Sequence, residues 1–174
     1  MPSHLTQHPQ RTGFAVAALT FVLDQLVKGL MTGPLHLMEQ AQITLLPIFN
    51  FTWTENRGVS LGLLTAGSPA SRWLLVALTV AIAIGVLVWL LREVKWPDCA
   101  ALGLILGGAL GNILDRSRLG YVIDYADLHF GQWRPFLIFN LADAAISIGV
   151  VIILARSFLT RDKGPSSVPA TPET

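Results

Sequence analysis

Residues 73–91, WLLVALTVAIAIGVLVWLL, run without interruption with Thr79 as the sole hydroxyl or charged side chain. In hydrocarbon every backbone N–H and C=O must be satisfied within the segment, so a run of this length and polarity reads as a membrane-spanning helix. At 1.5 Å rise per residue it reaches roughly 28 Å, against a hydrocarbon thickness of about 30 Å. Phe14 to Met31, Cys99 to Leu114 and Leu141 to Leu159 resemble it. The composition agrees, with 52% hydrophobic and 13% charged residues, about half the usual charged share. The expected fold is an all-α polytopic membrane protein with four transmembrane helices.

Three of the four helices carry polar groups that the 73–91 run lacks. Asp24 and Lys28 lie in the first, Asn112 ends the third with Asp115 just beyond, and Asp143 begins the fourth. A charge at membrane depth costs a few kcal/mol on insertion scales and therefore faces a protein interior or a wet cavity. Arg11 before an apolar stretch imitates a cleavable signal peptide. Asp24 and Lys28 interrupt that stretch and no small-residue cleavage site follows, so the segment is expected to be a retained helix. The single cysteine, Cys99, permits no internal disulfide and suits packing. A net charge of +1 leaves no electrostatic footprint for a nucleic-acid partner. The tail, TRDKGPSSVPATPET, has the composition of a disordered end.

Four helices put both termini and the Arg92 to Asp98 connection on one side, and two longer loops on the other. The first loop, Thr32 to Arg72, alternates β-branched and aromatic residues with polar ones in ITLLPIFNFTWTENRGVSLGLL, the pattern of a small extramembrane sheet. The second, Ser117 to Ile138, reads as a shorter polar loop. Lys and Arg divide six with the termini against five opposite, which by itself fixes no orientation. If the five opposing arginines are held in a folded site, the remaining bias favours cytoplasmic termini. All five tryptophans fall at helix ends or in loops and suit interfacial anchoring. Gly103, Gly107 and Gly111 recur every four residues, a small-residue stripe against which another helix can pack and so fix Asn112 beyond it.

The polar residues share faces by spacing. Asp24 and Lys28 are i, i+4 and read as a neutralising pair. Asn112, Asp115 and Arg116 lie on one face at the exit of the third helix, and Asn140 and Asp143 on one face at the entrance of the fourth. One loop joins that exit to that entrance, so Asp115, Asp124, Asp127 and Asp143 can all reach one region at the water boundary. His36 and His129 are isolated, without metal-ligand spacing, so no metal and no cofactor is expected. Two carboxylates sharing a site cannot both ionise. The pair can activate a water and protonate the group it attacks, which is aspartic peptide hydrolysis. Carboxylates at membrane depth suit a small proton-coupled transporter equally well.

Five blocks then resemble one family in that family's order: DQLVK at 24–28, NRGVS at 56–60, GGALGNILDR at 107–116, GYVID at 120–124 and FNLAD at 139–143. These are the motifs of the lipoprotein signal peptidases, or signal peptidase II, aspartic proteases of the bacterial inner membrane. The resemblance implies a catalytic dyad at Asp124 and Asp143, with supporting positions at Asp24, Asn56, Asn112, Asp115, Arg116 and Asn140. It implies a single membrane-embedded peptidase domain over 1–160 with a disordered cytoplasmic tail at 161–174, and an extracytoplasmic β-cradle built from the first long loop. It further implies cytoplasmic termini, an active site facing the periplasmic side, and membrane lipids and diacylglyceryl-modified prolipoproteins as partners, cut before the lipidated cysteine. Val27, Leu61 and Tyr125 depart from the family's commoner Ser, Phe and Phe. Leu61 is the departure expected to matter most, through the cradle.

Overall fold

The computed structural model describes residues 8–58 and 68–161. Prolines open three of its four long helices: α1 (Pro9–Thr32), α3 (Pro69–Arg92) and α4 (Trp96–Leu119) each carry one in the first turn, where the missing N–H has no intrahelical partner to lose. Ser68 caps α3 by accepting the Ser71 N–H at 3.1 Å. Gly120 ends α4 with a left-handed φ of +89° and returns its N–H to the Arg116 carbonyl. The single turn α2 (Leu37–Gln40) follows α1, and α5 (Leu141–Arg161) is the last element. The four long helices are each long and apolar enough to cross a membrane, as expected. Three of them reach several residues beyond the apolar runs, and in α4 the added turn holds Asp115 and Arg116 buried against the bundle. Leu61, with Val59, Ser60 and the tail from 162, lies outside the described residues.

The sheet departs from expectation. Strands β1 (Gln42–Leu46) and β2 (Phe49–Asn56) come from the first long loop, but a third strand, β3 (Val122–Leu128), comes from the segment read as a polar loop. The antiparallel order is β1-β2-β3, with Thr54 opposite Asp124 and Asn50 opposite Asp127. VIDYADL supplies the β-branched and aromatic residues a strand favours, and all but its last residue are buried. Asp124 is therefore a strand residue held in register. The sheet sits at the end of the bundle where α1 and α4 finish and α3 and α5 begin. Phe51 packs edge-to-face on both Phe49 and Tyr125.

Helix α4 is the centre of the bundle. A Cβ on Gly103 would collide with the Gly13 carbonyl, one on Gly107 with that of Ala17, and one on Gly111 with the Asp24 carboxylate. Gly108 makes the corresponding approach to the Ala142 carbonyl of α5. The glycine stripe thus seats α1 on one flank and α5 on the next, as the spacing anticipated. Cys99 is buried with Ala17, Ala83, Leu90, Leu102 and Leu106. Helix α3 adds a narrow buried seam of Ser71, Val76, Ala83 and Leu90, with Val86 and Leu87 half-buried against the same core. Trp73, Trp89 and Trp96 stand exposed near helix ends and Trp133 in the last loop.

The packing predicts opposite outcomes for one substitution at two sites. Gly107→Ala forces α1 away from α4 and should destabilise by about 1–3 kcal/mol, as overpacking does. Gly85→Ala on α3, where an added Cβ meets nothing within 4 Å, should be neutral or slightly stabilising. Thermal unfolding in detergent compares them, and equal midpoints would remove the close α1–α4 contact as a determinant of stability.

Candidate functional site

The site is built on the first turn of α5. Asn140, just before the helix, accepts the Asp143 N–H through Oδ1 at 2.9 Å, and Asp143 Oδ2 accepts the Asn140 N–H at 3.2 Å. This is a reciprocal capping box, and the N-x-x-D spacing in FNLAD is its signature. The remaining first-turn donors are met by other elements. Leu141 N–H donates to the Tyr125 hydroxyl at 3.2 Å, Ala142 N–H to Asp24 Oδ1 at 3.1 Å, and Ala144 N–H to the Asn140 carbonyl at 3.2 Å. Asp143 is at the helix entrance because its carboxylate is part of the cap.

The same asparagine reaches the second carboxylate. Asn140 Nδ2 donates to Asp124 Oδ1 at 2.6 Å and lies 3.2 Å from Asn112 Oδ1, while Asn112 Nδ2 donates to Asp143 Oδ1 at 2.8 Å. Asn56 adds a side-chain hydrogen bond to Asp124 from β2, its own Oδ1 accepting the Gly58 N–H at 2.9 Å. Asp124 and Asp143 are thus joined through two amides. Burial of Asp124, and next the negative charge of Asp143, push the Asp124 carboxyl from 3.8 up to about 6, against the opposing pull of Asn56, Asn140 and Lys28. The Arg116 guanidinium is buried facing Asp124, Asp143 and Asp115, and its Nε has no hydrogen-bond partner among the described residues.

Asp24 and Lys28 do pair, at 2.8 Å, but the pair is part of something larger. Lys28 Nζ also lies 2.7 Å from Asp115 Oδ2 and 3.2 Å from Asn112 Oδ1, so its three donors meet three acceptors. Asp115 is therefore the second counterion of Lys28, and Gln25 Nε2 links Asp24 to Asp115 at 3.1 Å to each. Asp127, expected to approach the other carboxylates, is instead bound by Arg134 at 2.8 and 3.1 Å and by Thr52 at 3.2 Å. The hydrogen bonds from Arg134 hold it below the usual carboxylate range. Of the residues singled out in the sequence, Asp24, Asn56, Asn112, Asp115, Arg116, Asp124, Asn140 and Asp143 form one connected cluster. Gln25 and Tyr125 belong to it as well and were not anticipated as parts of it. Their signal lay in chain position, one beside Asp24 and the other beside Asp124.

Two cavities open on the carboxylates. One of about 930 Å³ is lined by Asp124, Asn56, Gly58, Arg134, Phe136 and Leu137. A smaller apolar one of about 280 Å³ reaches Asp143 past Phe136, Phe139, Ala144 and Ile148. The two meet at Phe136. The cluster can therefore receive an extended chain along Asp124 and an apolar group beside Asp143.

Removal of the buried cation tests the charge balance. Lys28→Met leaves Asp24 and Asp115 facing each other without a counterion and should cost about 3–5 kcal/mol. Adding Asp115→Asn removes one uncompensated charge and should recover part of that loss in thermal unfolding in detergent. A double variant no more stable than the single one would contradict Lys28 as the shared counterion.

Known proteins bear directly on this cluster. Residues 16–159 match the family model described as Signal peptidase (SPase) II. A lipoprotein signal peptidase from Rhizorhabdus wittichii is 53% identical over 150 residues, covering 86% of this chain and 87% of that protein. One from Sphingopyxis alaskensis is 51% identical over 153 residues, 88% of each. A solved bacterial membrane enzyme superposes with a TM-score of 0.71 at 26% identity, over 90% of this chain and 94% of the other. The matched region runs through all four long helices, the sheet and every residue of the cluster, and the chain accordingly belongs to the signal peptidase II family, as a multi-pass membrane peptidase.

Proposed function

We propose that this peptidase is an aspartic endopeptidase that removes signal peptides from diacylglyceryl-modified bacterial prolipoproteins, cutting before the lipidated cysteine, with Asp124 and Asp143 as its catalytic pair. The observation that carries the reading is Asn140, which holds both carboxylates, Asp124 through its amide and Asp143 through the capping box. Family membership as a peptidase sets aside the transporter alternative.

In the resting pair one proton is shared, and the environments assign it. Asp124 is buried and raised to about 6, so it holds the proton, while both oxygens of Asp143 accept hydrogen bonds, one from the Asn112 amide and one from the Asn140 N–H. Asp143 takes a proton from a water, whose oxygen attacks the scissile carbonyl carbon. Asp124 donates its proton to the carbonyl oxygen, giving a tetrahedral diol. Collapse of the diol breaks the C–N bond, the amine of the cysteine leaves with a proton from the pair, and the signal peptide departs as a carboxylic acid. Arg116 and Asn56 border the reacting groups and orient the substrate backbone. No cofactor or metal enters these steps.

The same reading places the termini in the cytoplasm and the site at the outer surface. Of the five arginines at the sheet end, four are held: Arg57 pairs with Glu55, Arg134 with Asp127, Arg72 donates to the Ser117 carbonyl, and Arg116 is buried among carboxylates, while Arg118 is exposed. At the other end Arg156 pairs with Asp98, while Arg11, Arg92 and Lys95 form no ion pair among the described residues. This supports the positive-inside orientation that the count alone left open.

Asp124→Asn and Asp143→Asn should each abolish cleavage while the protein still inserts and folds, since an amide neither accepts the water's proton nor shares one. Turnover above about one percent of the parent rate in either variant would remove that residue from the pair. Because Asp124 must be protonated, kcat/KM should fall as pH rises past about 6. The lipid should matter as much as the peptide. Each buried CH₂ contributes about 0.8 kcal/mol to partitioning, so two acyl chains hold the scissile bond at the depth of the α5 entrance. Equal kcat/KM for matched substrates with and without the diacylglyceryl group would contradict that depth matching and favour a general intramembrane aspartic protease.

A further inference from the structure

Tyr125 follows Asp124 on β3, and its side chain points away from the cavities and into the seam between the sheet and the helices. The residue is 5% exposed, and its ring packs edge-to-face on Phe51 with centroids 6.0 Å apart. The main chain around it is already tied to the segment before α5. Tyr125 N–H and Ala126 N–H both donate to the Phe139 carbonyl, at 3.1 and 2.7 Å, and Phe139 N–H returns to Ala126 at 3.1 Å. The Tyr125 hydroxyl carries this connection two residues further, by accepting the Leu141 N–H at 3.2 Å.

Leu141 N–H is the first donor of the helix that bears Asp143. Without an acceptor it would be left unpaired at a half-buried helix end. A phenylalanine fills the same ring volume and offers none, so at this position the tyrosine changes the chemistry and not the packing. Burial first, then the charges of Asp24, Asp143 and Asp124, hold the Tyr125 hydroxyl up at about 12 against the pull of the Leu141 N–H. It therefore stays neutral throughout the working pH range.

We propose that Tyr125 is a positioning residue, whose hydroxyl clasps the first turn of α5 to β3 and thereby sets the separation of Asp124 and Asp143. The inference rests on the reading of those two aspartates as the catalytic pair. A strand residue and a helix residue have no common rigid element. The pair keeps its geometry through the ties that join β3 to α5, beside those from Asn112 of α4 and Asp24 of α1, and the clasp joins strand to helix one residue from Asp124 and two from Asp143. Displacement of a reacting group by about 1 Å can cost roughly a hundredfold in rate, so loss of one such tie should be visible in the chemical step.

The test is Tyr125→Phe measured beside Asp124→Asn, with the full-length protein in detergent and a diacylglyceryl-modified peptide as substrate. Tyr125→Phe should lower kcat about tenfold and leave KM within about twofold, because the cavities are untouched and only the pair is loosened. The descending limb of the pH profile should also move to lower pH. The charged groups facing Asp124 are Asp143 from α5, Lys28 from α1 and Arg116 from α4, and Glu55, Arg57 and Arg134 line the same cavity. None is altered by the substitution, so a lower limb reports weaker repulsion from a more distant Asp143. A kcat and pH limb both like the parent's would overturn the proposal. So would a fall in kcat that comes with a lower thermal midpoint and an unmoved limb, which is the signature of a purely structural role. Cleavage surviving Asp124→Asn would overturn the catalytic pair itself, whereas an unaffected Tyr125→Phe beside an inert Asp124→Asn overturns the clasp alone.

Discussion

A helix that begins inside a membrane protein, away from bulk water, must find acceptors for its first N–H groups among its neighbours. Helix α5 finds them in three places: its own capping box, the Tyr125 hydroxyl of β3 and the Asp24 carboxylate of α1. The rest of the architecture follows from bringing these together. Gly111 lacks a side chain so that Asp24 can pass α4, and Gly108 lacks one so that the backbone at Ala142 can lie against it. The third strand is needed because it carries Tyr125 and pairs with Phe139. The carboxylates of the site are positioned by groups that first of all satisfy backbone donors.

Charge is arranged with the same economy. Lys28 and Arg116 are two buried cations among four buried or half-buried carboxylates, so the carboxylates outnumber the cations that offset them. Asp124 and Asp127 show how far surroundings outweigh residue type. They lie three positions apart on one strand, yet burial beside Asp143 raises the first while hydrogen bonds from Arg134 lower the second. At one position burial favours the neutral carboxyl, and at the other an ion pair pins the segment that lines the larger cavity.

Much of this was legible in the sequence, for identifiable reasons. The four spans follow from apolar runs that only a membrane explains, and the glycine stripe follows from its period. The polar cluster was visible because a charged residue inside such a run demands a reason. The third strand was not legible, since VIDYADL is a short β-favouring stretch broken by two aspartates within a polar connection, and the β2 strand it pairs with lies far upstream. Nor was the second counterion of Lys28, because the i, i+4 spacing to Asp24 is local and the approach of Asp115 depends on how closely α4 packs. In the sequence Tyr125 stands out only as a departure from the commoner phenylalanine. What its hydroxyl does depends on a helix start that lies sixteen residues further along the chain.

The local part of the Lys28 arrangement has a consequence for how the protein is made. Proteins are synthesised from the N-terminus, so α1 reaches the bilayer while Asn112, 84 positions downstream of Lys28, does not yet exist. Neither does Asp115. During that interval the buried charges of α1 have only each other, and the one-turn separation of Asp24 and Lys28 lets them form an ion pair within the helix itself. The contact that becomes one arm of a larger network is thus also the local compensation available to two charges on a helix that has as yet no partner.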